Sequence, residues 1–177
     1  MSMATVPQHA PMTQFLVEGD QLLIGGIPVS RLAQRVGGTP FYAYDRQLLT
    51  ERIKQLRMAM PPDLKIHYAM KANPMPAVVQ HMATLVDGFD LASAGEMQVA
   101  LDTPMPASCI SIAGPGKRPE ELRQAVAAGI TVNAESFNEL TVLAQVSEEI
   151  GLSAQVALRI NPAFELKASG MKMGGGA

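Results

Sequence analysis

The chain alternates between short apolar runs and longer stretches with a helical period, and most of it can be divided on that rhythm. Residues 14–24 hold two short strand-like runs around Gly19-Asp20, a hairpin signal, and a short helix is expected from Pro28 to Val36. Thr39 to Tyr44 is rich in strand formers. Asp45 can cap the next helix, whose Leu49, Ile53, Leu56 and Met60 recur at spacings of three and four until Pro61-Pro62 stops it. A strand is expected over Lys65–Lys71. Pro74 and Pro76 then open a helix with Val78, Val79, Met82 and Leu85 as its apolar stripe.

The alternation continues to the end of the patterned region. Strands are expected at 86–91, 109–113, 130–133 and 155–160, and helices at 93–101, 119–128 and 136–150. Gly129 and Gly151 close the last two helices. Strands separated by helices of this length imply parallel βαβ units. Ser93-Ala-Gly-Glu96 and Ser136-Phe-Asn-Glu139 share the capping-box form, each just after a strand, and stand 43 positions apart. Two strand–helix units fit that interval, which is the rhythm of a (β/α) barrel. Five strands follow residue 64, whereas a closed barrel has eight in about 250 residues. The pattern therefore leaves two architectures: an open doubly wound sheet, or the front part of a barrel.

Composition narrows the function classes. The 177 residues carry 14 basic and 16 acidic side chains, a formal charge of −2, which gives no electrostatic case for nucleic acid or an anionic membrane. Aromatics are 5% and Trp is absent, against a base-stacking platform. A single cysteine, Cys109, excludes an internal disulfide framework and a multi-cysteine zinc site. No apolar run approaches the roughly 18–20 residues of a membrane span, and the first residues lack the basic and apolar regions of a secretory signal. A soluble protein is expected, most simply cytoplasmic, with residues 1–13 as a loose tail.

Several residues could carry chemistry. Lys71 ends a strand, and in parallel α/β proteins those ends face the ligand crevice. Alternation would put it on one face with His67 and Ala69. A desolvated lysine there could attack a carbonyl and form a Schiff base, while a lysine snorkelling to water is the plainer reading. Asp90 ends the next strand, beside Lys71, where a carboxylate could hold a protonated nitrogen. Glu96 is explained by the capping box begun at Ser93, and a capping glutamate can still border the crevice. Arg159, flanked by apolar residues, is expected to reach a polar pocket or a carboxylate. His67 and His81 are lone histidines and read as structural, as does Cys109. Ala113-Gly-Pro-Gly-Lys117 sits between a strand and a helix but lacks the spacing of a Walker loop. No metal site is expected.

Taken in order, YAMKAN, GFDLASAGE, SIAGPGKRPEELRQAVAAGITVNAESFNEL and ALRINP resemble the barrel domain of the pyridoxal-phosphate decarboxylases of the alanine-racemase-like fold type. Diaminopimelate, ornithine and arginine decarboxylases belong to that family. The branch associated with exosortase and exopolysaccharide gene clusters is the nearest in pattern. The resemblance covers roughly residues 14–170. It implies an α/β chain: a partial (β/α)8 TIM-type barrel over 39–177, with residues 14–38 contributing strands to a second, β-rich domain. It implies pyridoxal 5′-phosphate as cofactor, Lys71 as its Schiff-base lysine, Asp90 and Glu96 as acids near cofactor and lysine, and Arg159 as an arginine near the ring. A small amino acid is the implied substrate, and a homodimer the implied assembly.

The chain departs from the family pattern at two places. Gly114-Pro115-Gly116-Lys117 replaces the common Gly-Asn-x-Lys, and Glu135-Ser136 replaces Asp-Ser. The family's histidine over the ring, phosphate-binding glycine loop, acid on the pyridine nitrogen and cysteine–aspartate pair all fall later than the segments matched. An N-terminal portion, inactive alone, is therefore expected. An amino-acid racemase, a single-barrel cofactor carrier and a non-catalytic α/β binding domain are the alternatives.

Overall fold

The fold is given by a computed structural model that describes residues 13–160. It divides into two units, separated between Pro62 and Asp63.

The first unit opens on two successive two-residue hairpins. β1 (Val17–Glu18) pairs antiparallel with β2 (Gln21–Ile24), and β2 pairs with β3 (Ile27–Pro28). Gly19 and Asp20, at φ 52° and 58°, turn the first; Gly25 and Gly26, at 58° and 73°, turn the second. Both central residues at positive φ mark the turn whose twist matches an antiparallel pair. The sequence reading identified the first hairpin and passed over the second. α1 (Val29–Val36) follows and closes on Gly37 at φ 95°. The strand expected over Thr39–Tyr44 does not form. Tyr42 is 91% exposed, and the segment joins neither sheet among the described residues. Strand propensity records fit to a half-buried pleated surface, and here no ladder partner supplies one. α2 (Arg46–Ala59) starts as expected: Asp45 Oδ1 accepts from the Gln47 amide at 2.8 Å, and Oδ2 accepts from the Gly25 amide at 3.0 Å. The division after Pro62 groups α2 with these hairpins, whereas the sequence reading began the barrel at residue 39.

The second unit is a five-stranded parallel sheet in strict chain order. Its strands are β4 (His67–Ala69), β5 (Gly88–Leu91), β6 (Ile110–Ile112), β7 (Thr131–Ala134) and β8 (Gln155–Leu158). Between them run α3 (Pro76–Met82), α4 (Ala94–Leu101), α5 (Pro119–Ala128) and α6 (Phe137–Ile150). Sequential parallel order with one helix per crossover is the plan of the front part of a (β/α)8 barrel. One face of the sheet is the core: Phe89, Leu91, Ile110, Ile112, Val132 and Ala134 are buried against Val79, Met97, Leu122, Val126 and Leu143 of the helices. Each such side chain contributes about 1.5–3 kcal/mol by leaving water.

The strand expected over Lys65–Lys71 is shorter than its pattern. The ladder ends at Ala69, and Met70–Ala72 form one 3₁₀ turn closed by Asn73 N–H on Met70 C=O at 3.1 Å. Met70 is completely buried. Lys71 lies two residues past the end of the ladder, on that turn and exposed. Gly88 has a steric cause: a Cβ would lie 2.3 Å from the Cys109 carbonyl oxygen and 2.7 Å from His67 Cε1.

A carboxylate ties two crossovers together. Glu121 accepts from the Ala94 amide at 3.0 Å and the Arg118 amide at 2.8 Å. The Arg118 amide first, then that of Ala94, hold its carboxyl below its ordinary value of 4.5. A depressed pKa contributes stability above the unfolded value that is lost as pH falls through the folded one. Glu121→Gln is therefore expected to lower stability at pH 7 and to change little well below pH 4.5, where the wild-type carboxyl is itself protonated, so that its pH dependence is flatter, as urea melts across pH 3–7 will record.

Candidate active site

In β5, β6 and β7 a buried apolar face alternates with a polar one. β5 reads buried Phe89, exposed Asp90, buried Leu91; β6 reads buried Ile110, half-buried Ser111, buried Ile112. β7 puts Asn133 between buried Val132 and Ala134. Period 2 places Asp90, Ser111 and Asn133 on the face opposite the helices. Parallel register sets Ala69 beside Asp90 and Asp90 beside Ser111. Just past the carboxyl ends of β6, β7 and β8 come Ala113, Glu135 and Arg159. These six residues, Asp90, Ser111, Ala113, Asn133, Glu135 and Arg159, line one cleft of about 420 Å³.

Polar bonds fix the cleft. Asp90 Oδ1 accepts from Ser111 Oγ at 2.8 Å, and His67 Nδ1 lies 3.2 Å from the same oxygen. Asn133 Nδ2 donates to the Ile112 carbonyl at 3.4 Å. Glu135 Oε1 accepts from the Gly114 amide at 2.7 Å and faces Arg159 Nη1 at 3.5 Å. The Arg159 backbone N–H donates to the Ala134 carbonyl, which anchors the residue where β8 ends.

The four residues singled out from sequence divide between cleft and rim. Asp90 and Arg159 share the cleft, and Arg159 finds the carboxylate expected for it. Lys71 does not line the cleft. It is exposed on the 3₁₀ turn, two residues past the ladder partner of Asp90, and no side-chain bond holds it among the described residues. Glu96 sits at the cap: its amide donates to Ser93 Oγ at 3.2 Å, and its Oε2 accepts from the Ala92 amide at 2.7 Å. Sequence reasoning missed Ser111, Asn133 and Glu135 and set His67 aside as a lone histidine. For Ser111 the signal was a single polar residue between two apolar ones on its strand; Asn133 shares its strand with Thr131, and Glu135 follows that strand. The glycine loop at 113–117 does not present a free amide at Gly114, because Glu135 takes it.

Residues 46–176 match the family model of the pyridoxal-dependent decarboxylases, pyridoxal binding domain. A diaminopimelate decarboxylase of Aquifex aeolicus is 38% identical over 148 residues, covering 83% of this chain and 35% of that protein. The crystal structure of AQ1208 from Aquifex aeolicus superposes with a TM-score of 0.77 at 37% identity, over 84% of this chain and 37% of that one. Diaminopimelate decarboxylase from M. jannaschii in co-complex with L-lysine superposes with a TM-score of 0.73 at 29% identity, over 84% of this chain and 36% of that one. The chain thus spans about a third of the length of the relatives it matches. The donor set fits a pyridoxal group: a primary amine on an open turn next to a sheet edge that offers a carboxylate, a hydroxyl, an amide and a guanidinium in one cleft. Because that family model matches residues 46–176, more than half of the chain, the chain belongs to the pyridoxal-dependent decarboxylases and matches their pyridoxal binding domain.

Proposed function

We propose that this chain is the cofactor-binding portion of an amino-acid decarboxylase, with Lys71, Asp90, Glu96 and Arg159 as the residues that hold pyridoxal phosphate. The observation that carries the reading is the cleft at the carboxyl ends of β5–β8, with Lys71 on the turn after β4. When bound, pyridoxal phosphate supplies an electron sink for the pair left behind as CO₂ departs. The rest is the work of this chain's side chains. Lys71 offers its amine to the cofactor's aldehyde carbon and is free to move, since no bond restrains it among the described residues. Asp90 Oδ1 is occupied by Ser111 and lies beside His67, so Oδ2 is the oxygen left to accept a proton-bearing nitrogen. Arg159, restrained by Glu135, keeps a positive charge at the far side of the cleft. Glu96 holds the turn that follows β5 and so the direction of Asp90.

The substrate we propose is a small amino acid of the basic or dicarboxylic kind, as the relatives' names suggest. A cytoplasmic homodimer, a second β-rich domain that includes residues 14–38, and membership of the exosortase-associated branch belong to the same proposal. Among the described residues no helix is long and apolar enough to cross a membrane. Incubation with pyridoxal phosphate and carboxyl-labelled amino acids tests the activity. Labelled CO₂ is expected from the whole decarboxylase and none from this portion alone, and Asp90→Ala in the whole enzyme is expected to lower the release about a hundredfold, the scale of losing one preorganised charged partner. Racemised amino acid with no CO₂ would replace the decarboxylase with a racemase.

A further inference from the structure

The two capping boxes of the second unit are built alike and serve as controls for each other. At α4, Ser93 Oγ accepts from the Glu96 amide at 3.2 Å and Glu96 Oε2 accepts from the Ala92 amide at 2.7 Å. At α6, Ser136 Oγ accepts from the Glu139 amide at 3.2 Å and Glu139 Oε2 accepts from the Glu135 amide at 2.7 Å. The α4 box closes with alanine before its cap serine and with no lysine on its glutamate. The α6 box adds Glu135 at that place and pairs Glu139 Oε1 with Lys117 Nζ at 3.0 Å, both side chains nearly sealed from solvent at 3% and 8% exposure. Taking two charges out of water is costly and does nothing for a cap that works without them. Lys117 Nζ also donates to the Gly114 carbonyl at 2.6 Å, while the Gly114 amide donates to Glu135 Oε1. The bonds close a ring: Gly114 to Lys117, to Glu139, to the Glu135 backbone, and from the Glu135 carboxylate back to Gly114. Only one group of that ring faces the cleft, and it is the Glu135 carboxylate opposite Arg159.

We propose that Lys117 and Glu139 are positioning residues that lock Glu135 against Arg159, so that Glu135 sets the direction of the cleft's guanidinium. Its meaning for catalysis rests on the decarboxylase reading above; the geometry does not. The test is the rate at which phenylglyoxal modifies Arg159, followed by peptide mapping on the purified protein, with melting recorded for each variant. Glu135→Gln is expected to speed modification of Arg159 about fivefold, as for a released partly exposed ion pair. Lys117→Met with Glu139→Gln, remote from Arg159 and balanced in charge, is expected to give the same acceleration. The triple variant is expected to react no faster than Glu135→Gln alone, because the pair acts through Glu135. An unchanged rate in the double variant, or a triple variant whose acceleration is the product of the other two, would overturn the proposal. If the double variant does not fold, Glu139→Gln alone is read in the same way, since it keeps an acceptor for the Glu135 amide. Absorbance titration of the wild type with pyridoxal phosphate tests the decarboxylase reading separately. A protein that fails to bind the cofactor sinks that reading and leaves the Arg159 rates to decide this one.

Discussion

In the whole decarboxylase, Lys71→Arg is expected to abolish CO₂ release at an unchanged melting temperature. The lysine stands exposed on the 3₁₀ turn after β4 and makes no side-chain bond among the described residues, so exchanging it removes no packing and strands no partner. Arginine keeps its proton and its positive charge but offers no free amine to an aldehyde. The loss is expected to be at least about a thousandfold, the scale on which removal of a nucleophile acts. Lys71→Met is expected to match it, because charge is not what the position supplies. Activity retained in Lys71→Arg would return the residue to a lysine reaching for water.

Lys117→Met is expected to produce a large loss of stability. It leaves the Glu139 carboxylate charged and buried beside a methionine, and it releases the Gly114 carbonyl. Breaking a buried pair from one side costs about 3–5 kcal/mol, because the remaining charge has neither water nor a partner. Pairing the exchange with Glu139→Gln is expected to recover most of that loss, since glutamine still accepts from the Glu135 amide and carries no charge. Urea melts of the single and double variants measure both numbers. A single variant as stable as the wild type would mean that the pair is not sealed from solvent.

Elements whose ends are chemically marked were the most legible. α5 carries Pro119 at its start and Gly129 at its close, and the expected and observed ends coincide; α6 falls between Ser136 and Gly151 for the same reason. Strand ends carry no such marks. The β4 run reads as a strand through Lys71, but the ladder ends at Ala69 and the chain goes on as a 3₁₀ turn. Thr39–Tyr44 had the composition of a strand and no neighbour to pair with. In the site, Asp90 and Arg159 were legible because strand ends face the crevice. Glu135 was visible only as a departure from a family pattern, and Lys117 only as the last residue of a weak glycine loop. Their partnership with Gly114, Glu139 and Arg159 depends on the parallel register of β6, β7 and β8, which no local spacing encodes.

The claim that Lys71 receives the cofactor has a direct measurement. The purified protein is incubated with pyridoxal phosphate, reduced with borohydride, digested, and its peptides weighed. The expected result is a pyridoxyl group on the peptide holding Lys71, absent from Lys71→Arg. A pyridoxyl group on Lys65 or Lys117 instead, or none on any lysine, would contradict it.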